Sequence, residues 1–124
     1  MSIMHINLHC AMILYYIGHL PSFVKRADEI KQKGYDKIVC VSVNDPFVMR
    51  KWGDDQHATG KIYMLGDPSH QLSDALGLTK NLGAALGDRM KRFSAVVENG
   101  KVTQLNVEPD GTGLSCSLAP QLQL

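Results

Sequence analysis

Three cysteines, Cys10, Cys40 and Cys116, are the residues of this chain of 124 whose thiols could do redox chemistry. Cys10 falls in an alternating stretch, Cys40 in the β-branched run KIVCVSV, and Cys116 in the polar stretch EPDGTGLSCSLAP. No C-x-x-C pair and no zinc-ligand spacing joins them, so neither a disulfide scaffold nor a zinc ribbon is readable. An odd count leaves room for one reactive thiol. Cys116 stands out, because a structural thiol normally sits inside an apolar run. It is flanked by Ser115 and Ser117, follows Gly111 and Gly113, and lies 76 positions beyond Cys40. The two glycines read as loop-shaping rather than phosphate-cradling, since no Lys-Ser/Thr follows them. Cys40 reads as packing, and Cys10, on the apolar face of its stretch, as core filler rather than a nucleophile. Arg92, just ahead of a strand, reads on its own as a solvated charge. His5 and His9 share a face, but in a strand they stand about 13 Å apart, too far to share a metal. Only in a helix would they become an i, i+4 pair.

The elements that must position these residues are legible from periodicity. In MHINLHCAM, Met4, Ile6, Leu8, Cys10 and Met12 alternate with polar residues, a period-2 strand signal. HLPSFVKRADEIKQKG predicts a helix, with Pro21 in its first turn and a stripe of Leu20, Phe23, Val24, Ala27 and Ile30. Lys31 and Lys33 suit its last turn and Gly34 its stop. Residues 37–43 predict a strand buried on both faces. Asp45-Pro46 then caps and opens a second helix, with Val48 and Trp52 one turn apart. KIYML (61–65) predicts a second buried strand, and Asp67-Pro68 turns into a short helix carrying Leu72, Ala75 and Leu76. Residues 77–91 read as irregular. RFSAVV and KVTQLNV flank Glu98-Asn99-Gly100, a strong hairpin signal. Strands alternating with helices imply a mostly parallel sheet, and the closing hairpin adds antiparallel strands at one side. A thioredoxin-like α/β sandwich fits that order.

Composition narrows the partners. Thirteen basic and twelve acidic side chains leave a net charge of +1 without a basic block. That balance argues against nucleic acid or an anionic membrane as the main partner. The longest apolar run, Cys10 to Ile17, spans eight residues, against roughly 20 needed to cross a bilayer. With no Lys or Arg before it and no A-x-A-like site after it, it does not read as a signal peptide. The expectation is one soluble, intracellular domain.

Four stretches together then point to a family: HLPSFV, CVSVNDPFVMRKWG, LGDRMKRFSAVVENGKV and LNVEPDGTGLSCSLAP. They resemble the type-five, atypical two-cysteine peroxiredoxins of the redoxin family, over about 106 of the 124 residues. The resemblance implies an antioxidant thiol peroxidase acting in cell redox homeostasis. It would reduce hydrogen peroxide, alkyl hydroperoxides and peroxynitrite with thioredoxin as reductant, and would need no cofactor and no metal. By the same resemblance Arg92 in KRFS is the arginine facing the reactive sulfur and peroxide. Cys116 matches the resolving cysteine, and Cys40 a third cysteine with no required role.

One departure matters. In the family a P-x-x-x-T-x-x-C motif ends four residues before the histidine of HLP. Counting back from His19, Tyr15 occupies the peroxidatic cysteine position, Met12 the threonine and Leu8 the proline. A phenol with a reference pKa near ~10 does not replace a thiolate. Only eighteen residues stand where the family has an N-terminal hairpin and a first central strand. The expectation is therefore a thioredoxin-like sandwich with a central mixed β-sheet lacking the N-terminal strands, residues 4–12 partly filling the central slot. Residues 1–18 form a divergent segment and 19–124 the peroxiredoxin domain. The chain reads as a truncated or alternatively started form with little or no peroxidase activity. The alternative is a non-catalytic thioredoxin-like module forming mixed disulfides through Cys116. A monomer or homodimer in cytoplasm, mitochondrion or peroxisome is implied by resemblance. The final Leu122-Gln123-Leu124 resembles an S-K-L address without its small first residue.

Overall fold

The computed structural model describes residues 4–9, 19–111, 113, 115–118 and 120, with the backbone alone for 4–9 and 19. Cys10 and Tyr15 lie outside the described residues. In chain order the elements are β1 (Met4–His9), α1 (His19–Gln32), β2 (Lys37–Ser42), α2 (Pro46–Asp55), β3 (Tyr63–Gly66) and α3 (Gln71–Ala75). Then come β4 (Thr79–Asn81), β5 (Asp88–Met90), β6 (Phe93–Glu98) and β7 (Lys101–Val107). Five strands form one mixed sheet in the order β3-β2-β1-β6-β7. β1, β2 and β3 run parallel, and β6 and β7 antiparallel to their neighbours. The segment expected to fill the central slot only in part thus supplies the central strand of the described sheet.

Alternation along the strands builds two cores. Ile38 and Cys40 of β2 and Val96 of β6 join Leu20, Phe23, Ala27, Ile30 of α1 and Met49 of α2 on one face. Val41 and Val43, with Phe93 and Ala95, pack on the other face against Leu78 and Met90. Period-2 geometry sends successive side chains to opposite faces, so a strand covered on both must be apolar throughout. β2 meets that demand, being buried from Ile38 to Ser42. Burying a side chain the size of Phe23 stabilises the fold by roughly 1.5–3 kcal/mol.

The helix boundaries follow from local chemistry. The α1 stripe buries Leu20, Phe23, Ala27 and Ile30, and Gly34 stops the chain at φ +95. Asp45 caps α2, its Oδ1 accepting the amides of Phe47 and Val48 at 2.9 Å each. The inner face of α2 is set by Met49 and Gly53, with Trp52 half-buried beside them and Val48 at the margin. Gly53 is what lets α2 approach β3: a Cβ there would meet Met64 Cγ at 2.7 Å.

Two further expectations are corrected. β3 is not a buried strand. It is a sheet edge, with Tyr63 56% and Leu65 49% exposed and only Ile62, just before it, buried. Residues 77–91 are not irregular throughout, since β4 and β5 pair antiparallel with Thr79 opposite Met90. The expected hairpin does form, with Asn99 and Gly100 both at positive φ, as a two-residue turn between twisted strands requires.

Candidate functional site

Strand register brings one end of the sheet together. Leu8 near the end of β1 lies opposite Ser94 near the start of β6, and Phe93 lies opposite Val107 at the end of β7. The carboxyl ends of β1 and β7, and the residues just before β6, therefore meet at one edge. Arg92 and Glu108 extend from that edge, with backbone bonds from Glu108 N to Arg92 O at 2.9 Å and Arg92 N to Gly111 O at 2.8 Å. In parallel α/β sheets the carboxyl ends are where sites form.

Glu108 organises this edge. Although only 1% exposed, its carboxylate accepts five hydrogen bonds. Oε2 takes the Ser115 amide at 2.9 Å and its hydroxyl at 2.6 Å. Oε1 takes the amides of Cys116 and Ser117 at 2.9 Å and the Ser117 hydroxyl at 2.7 Å. Burial works to raise its pKa, but the Ser115 and Ser117 hydroxyls and the two amides prevail and hold it at about 2. The sequence held a faint signal: a lone acid after an apolar strand, with serines seven and nine positions on.

Cys116 sits against this carboxylate, half-buried and without a disulfide. Its Sγ donates to the Val107 carbonyl at 3.4 Å. Burial first, and then the Glu108 charge, push its pKa up from the usual thiol value. The polar stretch around Cys116 is thus tied down at residues 115–117. Arg92 corrects the solvated-charge reading: it is 1% exposed and donates from Nη1 to Gly113 O at 3.1 Å. Arg92 and Glu108 hold the same loop from its two ends.

The turn into the loop needs glycine at position 111. Gly111 stands at φ +79, and a Cβ there would press on the stems of Lys80 and Lys91. Lys80 Nζ donates to Asp110 O, and the Asp110 carboxylate accepts Gly113 N at 2.8 Å. Arg89 is a further organiser that sequence reasoning missed. Its Nη1 reaches Val43 O at 2.7 Å and Asn44 Oδ1 at 3.0 Å, tying β5 to the carboxyl end of β2. Cys40 is fully buried in the first core. Among the described residues, Arg92 and Cys116 come to one edge of the sheet and Cys40 does not.

The Redoxin family profile matches residues 17–119. The chain belongs to the redoxin family, among the peroxiredoxins. It is 42% identical over 96 residues to Peroxiredoxin-2D of Arabidopsis thaliana, covering 77% of this chain and 59% of that protein. To mitochondrial Peroxiredoxin-2F of the same plant it is 46% identical over 91 residues, covering 73% of this chain and 45% of the relative. The chain thus spans about half the length of these curated relatives. Among solved structures it is similar to reduced Prx3 of Vibrio vulnificus in complex with hydrogen peroxide. That match has a TM-score of 0.85 at 37% identity over 97% of this chain and 75% of the other. Peroxiredoxin 5 of Alvinella pompejana matches with a TM-score of 0.73 at 30% identity, over 90% and 73%. The fold of this peroxiredoxin is accordingly the mixed α/β thioredoxin-like arrangement. No helix among its described residues is long and apolar enough to cross a membrane.

Proposed function

We propose that this chain is a type-five, atypical two-cysteine peroxiredoxin in which Cys116 is the resolving-type thiol and Tyr15 replaces the peroxidatic one. Residues 19–124 are its peroxiredoxin domain, and residues 1–18 a divergent segment. The family cycle is an antioxidant thiol peroxidation. A peroxidatic thiolate attacks one peroxide oxygen, the O–O bond breaks, and the other oxygen leaves as alkoxide or hydroxide and takes up a proton. The sulfenic acid so formed condenses with the resolving thiol, releasing water and leaving a disulfide. A thioredoxin dithiol returns both cysteines to thiols and is itself oxidised.

The observation that carries the proposal is the setting of Cys116. A first-attacking thiol needs a positive or polar setting that lowers its pKa. Cys116 has burial and the Glu108 carboxylate, which push the other way. Such a thiol suits a second step, attack on an electrophilic sulfenic sulfur, and not the first. Arg92, buried at the same edge, is the residue proposed to face peroxide and the reactive sulfur. With Tyr15 at the first thiol position, this chain turns over peroxide slowly or not at all. A coupled thioredoxin/NADPH peroxide assay tests this. Turnover comparable to an intact homologue, abolished by Cys10→Ser, would show instead that Cys10 serves as nucleophile.

A second reading rests on the same thiol. Cys116 is a free, half-buried cysteine at one edge of an intact sheet. A non-catalytic thioredoxin-like module could use it to form mixed disulfides with other proteins, thioredoxin among them. Non-reducing gels after mild oxidation distinguish the two: a Cys116-dependent adduct supports the module, and its absence removes it. A monomer or homodimer in cytosol, mitochondrion or peroxisome is consistent with either reading.

A further inference from the structure

Both readings give Cys116 a chemical role, but neither says what decides when it reacts. We infer that Glu108 is a positioning residue for Cys116: its carboxylate, clasped by residues 115–117, parks the thiol against the Val107 carbonyl, so that Cys116 reacts when this clasp releases. The inference rests on Cys116 being the working thiol of the proposed function, and goes beyond it by naming the group that restrains it.

Three features of the geometry carry it. The thiol donates to Val107 O, a bond that only S–H and not a thiolate can make. The Cys116 amide is bound to Glu108 Oε1, so the backbone that carries the sulfur cannot shift while the carboxylate is in place. The hydroxyl bonds on either side, from Ser115 and Ser117, are short at 2.6 and 2.7 Å. Charge-assisted bonds of this length are about twice as strong as neutral ones. A clasp of five such bonds is cooperative, and losing one end loosens the rest.

The charged groups around the clasp are few. Arg92 approaches from the start of β6 and is bound to Gly113 O. Asp110 holds Gly113 N. Lys80 from β4 and Lys91, just after β5, pack on Gly111, with Lys80 bonded to the Asp110 carbonyl. Among the described residues Glu108 is the carboxylate in direct contact with the Cys116 amide, and it carries a negative charge towards the sulfur. A thiolate formed in place would face that charge in a half-buried setting. Moving residues 115–117 off Glu108 relieves both constraints at once.

The test is alkylation of Cys116 by iodoacetamide, followed by peptide mass spectrometry across pH 6 to 11 on the full chain. The thiolate displaces iodide and the thiol proton passes to buffer, so no peroxide or reductant is needed. Glu108→Gln removes the charge and two-sided acceptance. It should move the alkylation midpoint to lower pH and speed modification at pH 7.5, the gain in thiolate outweighing the weaker nucleophilicity of a more acidic thiol. Glu108→Asp keeps the charge and should retain the higher midpoint. Equal midpoints for the native chain and Glu108→Gln overturn the proposal. Protection of Cys40 reports that the variant is folded. Should Glu108→Gln fail to fold, the double variant Ser115→Ala/Ser117→Ala, which removes two of the clasp's donors and keeps the carboxylate, should speed alkylation of Cys116 at pH 7.5, and an unchanged rate overturns the proposal. Failure of the peroxidase assay does not bear on this measurement. Unchanged alkylation, conversely, leaves the peroxiredoxin reading standing.

Discussion

The carboxylate of Glu108 and the backbone amide of Cys116 are 2.9 Å apart, and that bond joins the end of β7 to the loop bearing the half-buried thiol. It ties a local feature of sequence, a lone acid after an apolar strand, to a long-range consequence. The same carboxylate that fastens the loop also faces the sulfur. Loop stability and thiol reactivity at this edge are therefore coupled through one side chain.

Acid should reveal the coupling first. The Glu108 pKa is about 2 in the folded chain, below its ordinary value of 4.5. A carboxyl with a depressed folded pKa stabilises the fold fully above its unfolded pKa, and loses that contribution as pH falls towards the folded one. The window is thus roughly pH 4.5 down to 2. The gap is worth about 3 kcal/mol at neutral pH. Urea unfolding of the native chain and Glu108→Gln, at pH 7 and at pH 3, should show their difference shrinking on acidification. A constant difference would mean that the clasp does not hold the proton off.

Arg92 should matter to stability independently of any reaction. It is buried, and its Nη1 donates to the Gly113 carbonyl at 3.1 Å. Arg92→Met keeps much of the stem but leaves that carbonyl without its donor. A cost of about 1–3 kcal/mol follows from a lost bond to a charged group. Thermal denaturation should register it as a fall of several degrees. An unchanged melting temperature would show that the guanidinium is held there for chemistry alone.

How far the sequence foretold all this depends on the length of each signal. β2 and α1 carry five or more patterned positions each, and both stand where periodicity put them. The Asn99-Gly100 turn was legible because few residue pairs tolerate two consecutive positive φ values. β4 and β5 have three residues each, too few to show alternation, and exist because Thr79 to Asn81 find Asp88 to Met90. The apolar run at Tyr63 to Leu65 could not reveal that its strand lies at the sheet edge, since strand order is a property of the whole chain. Cys116 stands out by its polar setting and Arg92 through family resemblance, whereas the burial of both is a property of the structure. Glu108 gives little sign of itself in the sequence because its three partner residues lie seven to nine positions away in a loop without periodicity.

The cap of α2 offers a cleaner local test. Asp45 accepts two otherwise unpaired amides, and Pro46 behind it fixes the first-turn dihedral. Asp45→Ala should cost about 1 kcal/mol, whereas Asp45→Asn, which keeps an acceptor oxygen, should cost a few tenths. Chemical denaturation with an unchanged m-value would separate the two. Equal effects of Ala and Asn would mean that charge near the helix start, and not the hydrogen bonds, is what counts.

At near-neutral pH the group to watch is His70. Its Nδ1 lies 2.8 Å from Asp74 Oδ2, one turn on, and this bond chiefly raises the imidazole pKa above the usual 6.5. Asp74 is lowered in turn, first by the Thr79 hydroxyl and then by His70. A raised folded pKa makes the pair stabilising below the unfolded value of about 6.5, a contribution lost as pH rises through the folded pKa. The pair is exposed, so the effect on unfolding is small and salt-sensitive. NMR titration, with the resonance assigned by His70→Gln, should give a His70 midpoint above 6.5 in the native chain. Asp74→Asn should bring it back towards 6.5. Thr79 would still bond the new amide, so any residual elevation would belong to the more distant Asp67 and Asp88 charges. A midpoint that does not move on Asp74→Asn would assign the whole elevation to those two carboxylates and dissolve the pair as an electrostatic unit.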